Sequence, residues 1–203
     1  MMFKNLADEA ALLLITHNVI AEEKREAYTY GFELFFEKLF FYGIVFIIAL
    51  LTRTLLFSAL FIFAYKMLRQ YTGGFHCKTA ELCLVVSVLI YLVVMLLYMV
   101  DMNRIEFVLA IGALVSTIII FIFSPRENIN RPLEDGEKKK YRTVSIIIST
   151  ITAIVATVSY KLDISFLFYS TSCSLTADAV LIILSLGRCK NEDNTAEGSG
   201  SNG

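Results

Sequence analysis

The sequence is short of charge. Only 18% of its 203 residues are Asp, Glu, Lys or Arg, while 57% are hydrophobic and mean hydropathy is +0.66. A soluble domain carries about 25% charged residues. A sphere of this size cannot bury so much apolar surface, so much of it must face lipid. That excludes an ordinary soluble enzyme and a disordered chain. There is no excess of positive charge either: 18 Lys and Arg against 19 Asp and Glu leave a net charge of −1, which excludes a nucleic-acid binder. Tryptophan is absent, histidine occurs twice and cysteine four times. The cysteines, at 77, 83, 173 and 189, fit neither a zinc-ribbon spacing nor a disulfide framework. They read as reduced thiols in a reducing compartment. No cleavable signal is visible, since Asp8 and Glu9 precede only a weakly apolar run. No internal repeat supports a transporter built from duplicated halves.

What is present is a series of apolar runs. About 20 apolar helical residues cross a bilayer core. Residues 82–100 and 143–160 contain no charge; 105–123 is slightly short and clean from Phe107; 164–187 is interrupted only by Asp178. The stretch from Leu39 to Tyr65 is broken by Arg53 alone, within Thr52-Arg53-Thr54. One long helix would place Arg53 mid-membrane at a cost of at least ~2.5 kcal/mol. A hairpin with spans at 34–51 and 54–68 avoids this. The loops then put 15 of the 18 cations on one side, leaving Arg53, Arg104 and Lys161 on the other. By the positive-inside rule the rich side, with both termini, is cytoplasmic. The expectation is an all-α integral membrane protein: one polytopic domain over 1–190 with about six transmembrane helices and an N-terminal amphipathic helix. Tyr65, Tyr98, Tyr141 and Tyr160 fall near span ends, as in an aromatic belt.

The N-terminal segment, about 3–21, repeats Phe3, Leu6, Ala7, Ala10, Leu13, Leu14 and His17 at helical spacing. It reads as a helix on the membrane surface or packed on the bundle, with His17 a packing or interfacial residue rather than a ligand. The polar Gly/Ser-rich tail at 191–203 reads as disordered, its last residues resembling an appended linker.

Chemistry concentrates between the second and third spans, in Arg69-Gln-Tyr-Thr-Gly-Gly-Phe-His-Cys-Lys-Thr-Ala-Glu-Leu-Cys83. A His with a Cys is the minimum for a thiol peptidase: the imidazole takes the thiol proton, the thiolate attacks a carbonyl, and the imidazolium protonates the leaving amine. Cys83 falls in the first turn or so of the third span if Thr79 is its N-cap, where a helix N-terminus and the cations Arg69 and Lys78 favour a thiolate. His76 and Cys83 are seven residues apart. An unbroken helix would separate them by about 10 Å along its axis. Gly73-Gly74 supplies a break, so His76 is expected on a loop or turn folded back over the start of the third span. Cys77 points away from His76 and is the lesser nucleophile. Blander readings stay open: Cys83 as a buried small hydrophobe, Gly73-Gly74 as an ordinary turn. A His76/Cys77/Cys83 metal site lacks a fourth nearby ligand.

Other ionisable residues have two readings each. Lys138, Lys139 and Lys140, with Arg142, either hold an acidic substrate tail or anionic lipid, or simply follow from topology. Asp178 should face the bundle interior; it either orients His76 as a third member, or caps a helix or pairs with Arg69. Glu81 is a first-turn carboxylate pointing away from the thiol.

The sequence resembles the AgrB family, the accessory gene regulator membrane peptidases of Gram-positive quorum sensing. The match rests on Arg69, Gly73-Gly74, His76 and Cys83 in the order R-x-x-x-G-G-x-H-x6-C. Pro125, Asn130-Arg-Pro-Leu133 and Lys138-Lys-Lys-Tyr-Arg142 support it, as do chain length and the order of spans. The resemblance implies a cysteine endopeptidase that trims the C-terminal part of an AgrD-like precursor peptide. His76 would be the base and Cys83 the nucleophile. A Cys83 thioester would then pass to a thiol or hydroxyl of the peptide, closing a thiolactone or lactone. It implies no metal and no cofactor. The partners are the precursor and membrane lipid, with a homodimer as the arrangement if His76 and Cys83 pair between subunits. The competing reading is a small peptide transporter, with Asp178 and the basic segment lining its pathway.

Overall fold

A computed structural model describes residues 2–17, 19–73, 80–100, 105–125 and 135–199, and these described residues form seven α-helices. They are α1 (Met2–Thr16), α2 (Arg25–Leu51), α3 (Leu55–Thr72), α4 (Ala80–Met99), α5 (Glu106–Phe123), α6 (Asp135–Lys161) and α7 (Ser165–Ser199), with a single 3-10 turn at Glu22–Lys24. No strand occurs among the described residues. Five of the helices are long and apolar enough to cross a bilayer: α2 with its preceding turn, α4, α5, α6 and α7. This is an all-α membrane protein. The segment α3 is helical throughout, but Lys66, Arg69 and Gln70 in its last turns dilute its apolar character.

The break between α2 and α3 falls at Arg53. The Thr52 hydroxyl and N–H both donate to the Ile48 carbonyl, at 2.7 and 2.9 Å, and close the last turn of α2. Arg53 then takes φ 57°, the left-handed conformation that stops a helix. A side chain with a Cβ pays about 1–2 kcal/mol there, and an arginine at the water interface still gains from not entering lipid. Asp163, with φ 54°, makes the corresponding turn between α6 and α7.

The chain divides into two compact units. The first comprises residues 1–53 and 77–93, the second 54–76 and 94–203. In the first, α1 packs on α2. Phe3 meets Phe40 edge to face at 5.8 Å, and the Thr29 hydroxyl donates to Asp8 at 3.1 Å. The N-terminal helix is thus packed on a neighbour, along a stripe that shares Phe3 and Ala7 with the expected one but is rotated toward Ala11. Phe3, Ala7 and Ala11 are buried, while Leu6 and Leu13 are 50% and 59% exposed. The small alanines face α2 because they let two backbones approach closely.

In the second unit α7 is the central helix, in contact with α3, α5 and α6. Two thirds of its apolar span (67%) is buried, against 22% for α5 and 28% for α6. Leu175 and Ile182 of α7 close on Leu68 of α3 and on Ala113 and Ile120 of α5. On α5 the buried residues Leu109, Ala113, Ser116 and Ile120 form one stripe, and Phe107, Val108, Leu114, Ile118 and Ile122 form an exposed apolar face suited to lipid. Several buried serines on α6 and α7 bond to their own helix carbonyls, among them Ser149 to Ile146 at 3.1 Å and Ser174 to Thr171 at 2.8 Å. Such residues hide their polarity and keep the helices close.

Two elements are longer than the apolar runs suggest. The helix α6 begins at Asp135, so Lys138–Lys140 lie in its first turns rather than in a loop. The helix α7 continues through Asn191–Ser199, where composition predicts a disordered tail. In both cases an established helix propagates into polar sequence, because each added residue brings a backbone hydrogen bond without a new nucleation cost.

Candidate active site

The end of α3 is fixed by a small polar cluster. Asp178 of α7 is fully buried, and its Oδ1 accepts a hydrogen bond from the Thr72 hydroxyl at 3.0 Å. Arg69, one turn earlier on α3, places a guanidinium nitrogen 3.9 Å from the same oxygen and donates from it to the Gly73 carbonyl. Arg69 and Thr72 are three residues apart, so they share a helix face and can both turn to α7. Gly73 ends the helix with φ 68° and ψ −152°, a region essentially open to glycine alone. Three residues singled out from the sequence, Arg69, Gly73 and Asp178, are therefore brought together. Of the readings open for Asp178, pairing with Arg69 is realised. Thr72 was missed; the signal for it was a lone carboxylate on an apolar helix, which requires donors, and a hydroxyl one helical step from the arginine.

Cys83 is the fourth residue of α4. It is half-buried, in reduced form, and its backbone carbonyl accepts the Ser87 hydroxyl at 2.8 Å. Glu81, also in the first turn, is exposed. The N-terminal amides of a helix stabilise negative charge, so this position can support a thiolate. Cys173 is 2% exposed in the middle of α7 and cannot meet a substrate. His76, Gly74 and Cys77 lie outside the described residues. Among the described residues no three His, Cys, Asp or Glu side chains converge on a point that could hold a metal.

Lys138, Lys139 and Lys140 are exposed in the first turns of α6. Tyr141 beside them lies 5.7 Å from Tyr71, ring to ring, and Tyr71 precedes Thr72. The basic turns of α6 and the polar end of α3 thus occupy the same end of the second unit. An apolar groove of about 290 Å³ between α3, α6 and α7, lined by Leu60, Phe63, Met67, Ile148 and Val155 among others, offers no reactive group.

A family model described as Accessory gene regulator B matches residues 5–185. The chain belongs to the accessory gene regulator B family. The matched stretch contains Arg69, Gly73, His76, Cys83, Lys138–Lys140 and Asp178, and ends before the polar tail. Among curated relatives, a putative AgrB-like protein of Clostridium perfringens (strain SM101 / Type A) is 29% identical over 184 residues, covering 84% of this chain and 83% of the relative. An accessory gene regulator protein B of Staphylococcus carnosus (strain TM300) is 28% identical over 127 residues, or 62% of this chain and 65% of the relative. No solved structure matches. Membership links this chain to the accessory gene regulator system of quorum sensing.

Proposed function

We propose that the protein is a membrane cysteine endopeptidase that trims and cyclises an AgrD-like precursor peptide. His76 takes the proton of Cys83, and the sulfur attacks the carbonyl of the scissile bond. The tetrahedral intermediate collapses as His76 returns the proton to the leaving amine, releasing the C-terminal fragment. The remaining peptide is held as a thioester on Cys83. A thiol or hydroxyl within it attacks that thioester, its proton passes through His76 to the departing Cys83 sulfur, and a thiolactone or lactone closes. Thioester is exchanged for thioester in the thiol case, so no nucleotide or metal is needed. Water must be excluded, since hydrolysis would otherwise compete.

The observation that carries this reading is family membership over a stretch containing the complete R-x-x-x-G-G-x-H-x6-C arrangement. The location of Cys83 in the first turn of α4 supports it. Lys138, Lys139 and Lys140 would receive acidic groups of the precursor or of lipid, on the cytoplasmic side with both termini. Arg69 and Gly73 would act by shaping the segment that bears His76, since Arg69 is committed to Gly73 and Asp178.

Co-expression with the small precursor followed by mass spectrometry tests the proposal. The expected product lacks the C-terminal part and is lighter by one water than the hydrolysed fragment. Cys83→Ala and His76→Ala should each leave the precursor intact while the protein stays in the membrane. A transporter without peptidase activity would be unaffected by Cys83→Ala, and that result would overturn the reading.

A further inference from the structure

The groove between α3, α6 and α7 is walled mainly by residues 60–67 of α3 and 148–155 of α6. The two polar residues on its walls, Thr152 and Thr171, spend their hydroxyls on their own helices, at the Ile148 carbonyl (2.8 Å) and the Leu167 carbonyl (2.7 Å). The surface offered is therefore hydrocarbon, and so must be what fills it. Each wall runs about 10 Å along its helix axis. The volume, about 290 Å³, holds about ten groups the size of a water, roughly 30 Å³ each, and a methylene is of that size. That is room for one stretched acyl chain and too little for a helix, about 10–12 Å across with its side chains.

What lies above the groove says which molecule carries that chain. Tyr71 follows Met67 by four residues and Tyr141 precedes Ile148 by seven, so each continues the groove face of its helix. Their rings meet at 5.7 Å. Around Tyr141 the first turns of α6 carry Lys138, Lys139, Lys140 and Arg142, which outnumber Asp135 and Glu137. From Lys140 to Val155 the helix rises about 22 Å, half of the roughly 40–45 Å of a bilayer with its headgroups. Cations, then tyrosines, then a hydrocarbon slot follow one another in the order of headgroup, interface and tail. We propose that one anionic phospholipid seats here, its phosphate on the basic turns of α6 and one acyl chain in the groove. Of the reading above this keeps the basic turns as the acceptor of acidic groups, with lipid and not precursor as their source; it needs no peptidase chemistry. The lipid would tie α3 to α6 near the end of α3 that carries Arg69, Thr72 and Gly73.

The chain has no tryptophan, so one introduced Trp reports only on its own lipid neighbours. Phe63→Trp puts it on the groove, nine residues before the end of α3. Leu114→Trp puts it on the exposed face of α5, nine residues before the end of that helix. Each full-length variant is reconstituted in vesicles of phosphatidylglycerol and phosphatidylcholine, with acyl-chain bromines on one lipid or the other to quench the Trp. Competition between the two gives a relative affinity at each position. Position 63 should favour phosphatidylglycerol at least about fivefold, and position 114 should not discriminate. With the exposed Lys138, Lys139 and Lys140 all changed to Gln, position 63 should approach parity. Ala64→Leu fills the groove and keeps every cation; it should also bring position 63 toward the value at 114. Equal preference at the two positions, or a preference at 63 that survives either change, would overturn the proposal. So would a position 63 that the bromines of neither lipid reach, because a protein segment would then fill the groove. No readout uses precursor or Cys83, so loss of the peptidase reading would leave this test standing.

Discussion

At position 83 a thiol lies four residues into a helix and half-open; at position 173 another is sealed among α7's neighbours. With Cys77 and Cys189 replaced by Ser, these two become the only thiols. Iodoacetamide should then alkylate Cys83 at least about tenfold faster than Cys173, because access and the positive end of α4 both favour an attacking sulfur. Peptide mapping over a time course reads the ratio, and comparable rates would mean that α4 does not expose Cys83. Gly73 allows a second comparison. Ala at φ 68° and ψ −152° is strained by about 1–3 kcal/mol. Gly73→Ala should therefore lower the melting temperature in detergent and suppress precursor processing. Gly31, within α2 with open space around its missing Cβ, is the control. Gly31→Ala should leave processing unchanged and add up to about 1 kcal/mol of stability.

Among the elements, the contact of α1 with α2 depends on small residues. Ala7→Leu or Ala11→Leu should overpack it, by about 1–3 kcal/mol, whereas Leu6→Ala and Leu13→Ala should alter thermal stability little, since both side chains point away. The reverse ranking would mean that the leucine stripe faces α2. This is where the sequence misled in part: hydrophobic periodicity marks the greasiest face, and of that face Phe3 and Ala7 are buried, with Ala11 beside them, while Leu6 and Leu13 are not. The break at Arg53 was legible because a lone cation in an apolar run has few places to go. The extent of α6 and α7 was not legible, since hydropathy reports where lipid begins and not where a helix ends. At the site, Arg69, Gly73 and Asp178 stood out as residue types out of keeping with their surroundings. That Arg69 grips Gly73 and Asp178, rather than a substrate or a thiolate, needed the third dimension, and so did Thr72. The cluster predicts an ordering of its own. Arg69→Leu leaves Asp178 without its cation and should destabilise by roughly 3–5 kcal/mol. Thr72→Val removes one hydrogen bond to a charged group, about 1.5–3 kcal/mol. Thermal unfolding of the two variants and of Arg69→Leu with Asp178→Leu checks this; the double variant should be more stable than Arg69→Leu alone.

For the molecule as a whole the open quantity is whether α3 crosses the bilayer, because this decides which side each later segment occupies. Composition alone is against it: Lys66, Arg69 and Gln70 lie in its last turns. Two physical points favour crossing. Eighteen helical residues span about 27 Å, nearly the ~30 Å of a hydrocarbon core. The awkward charge is also compensated, with Arg69 beside Asp178 and Lys66 long enough to snorkel toward headgroups. If α3 crosses, the Arg53 turn emerges on the outer side, together with Arg104 and Lys161, and 15 of 18 cations remain inside. If it does not, the sides of all later helices invert relative to the N-terminus and the charge bias falls from 15 against 3 to about 12 against 6. Single-cysteine chains at Arg53, Asn103 and Asn128, in a background without native cysteines, can be treated in intact cells with a membrane-impermeant maleimide. Arg53→Cys and Asn103→Cys should react from outside, and Asn128→Cys only after the membrane is opened. Reaction of Arg53→Cys solely from inside, or from neither side, would mean that α3 does not cross and that the cation count has been assigned to the wrong faces.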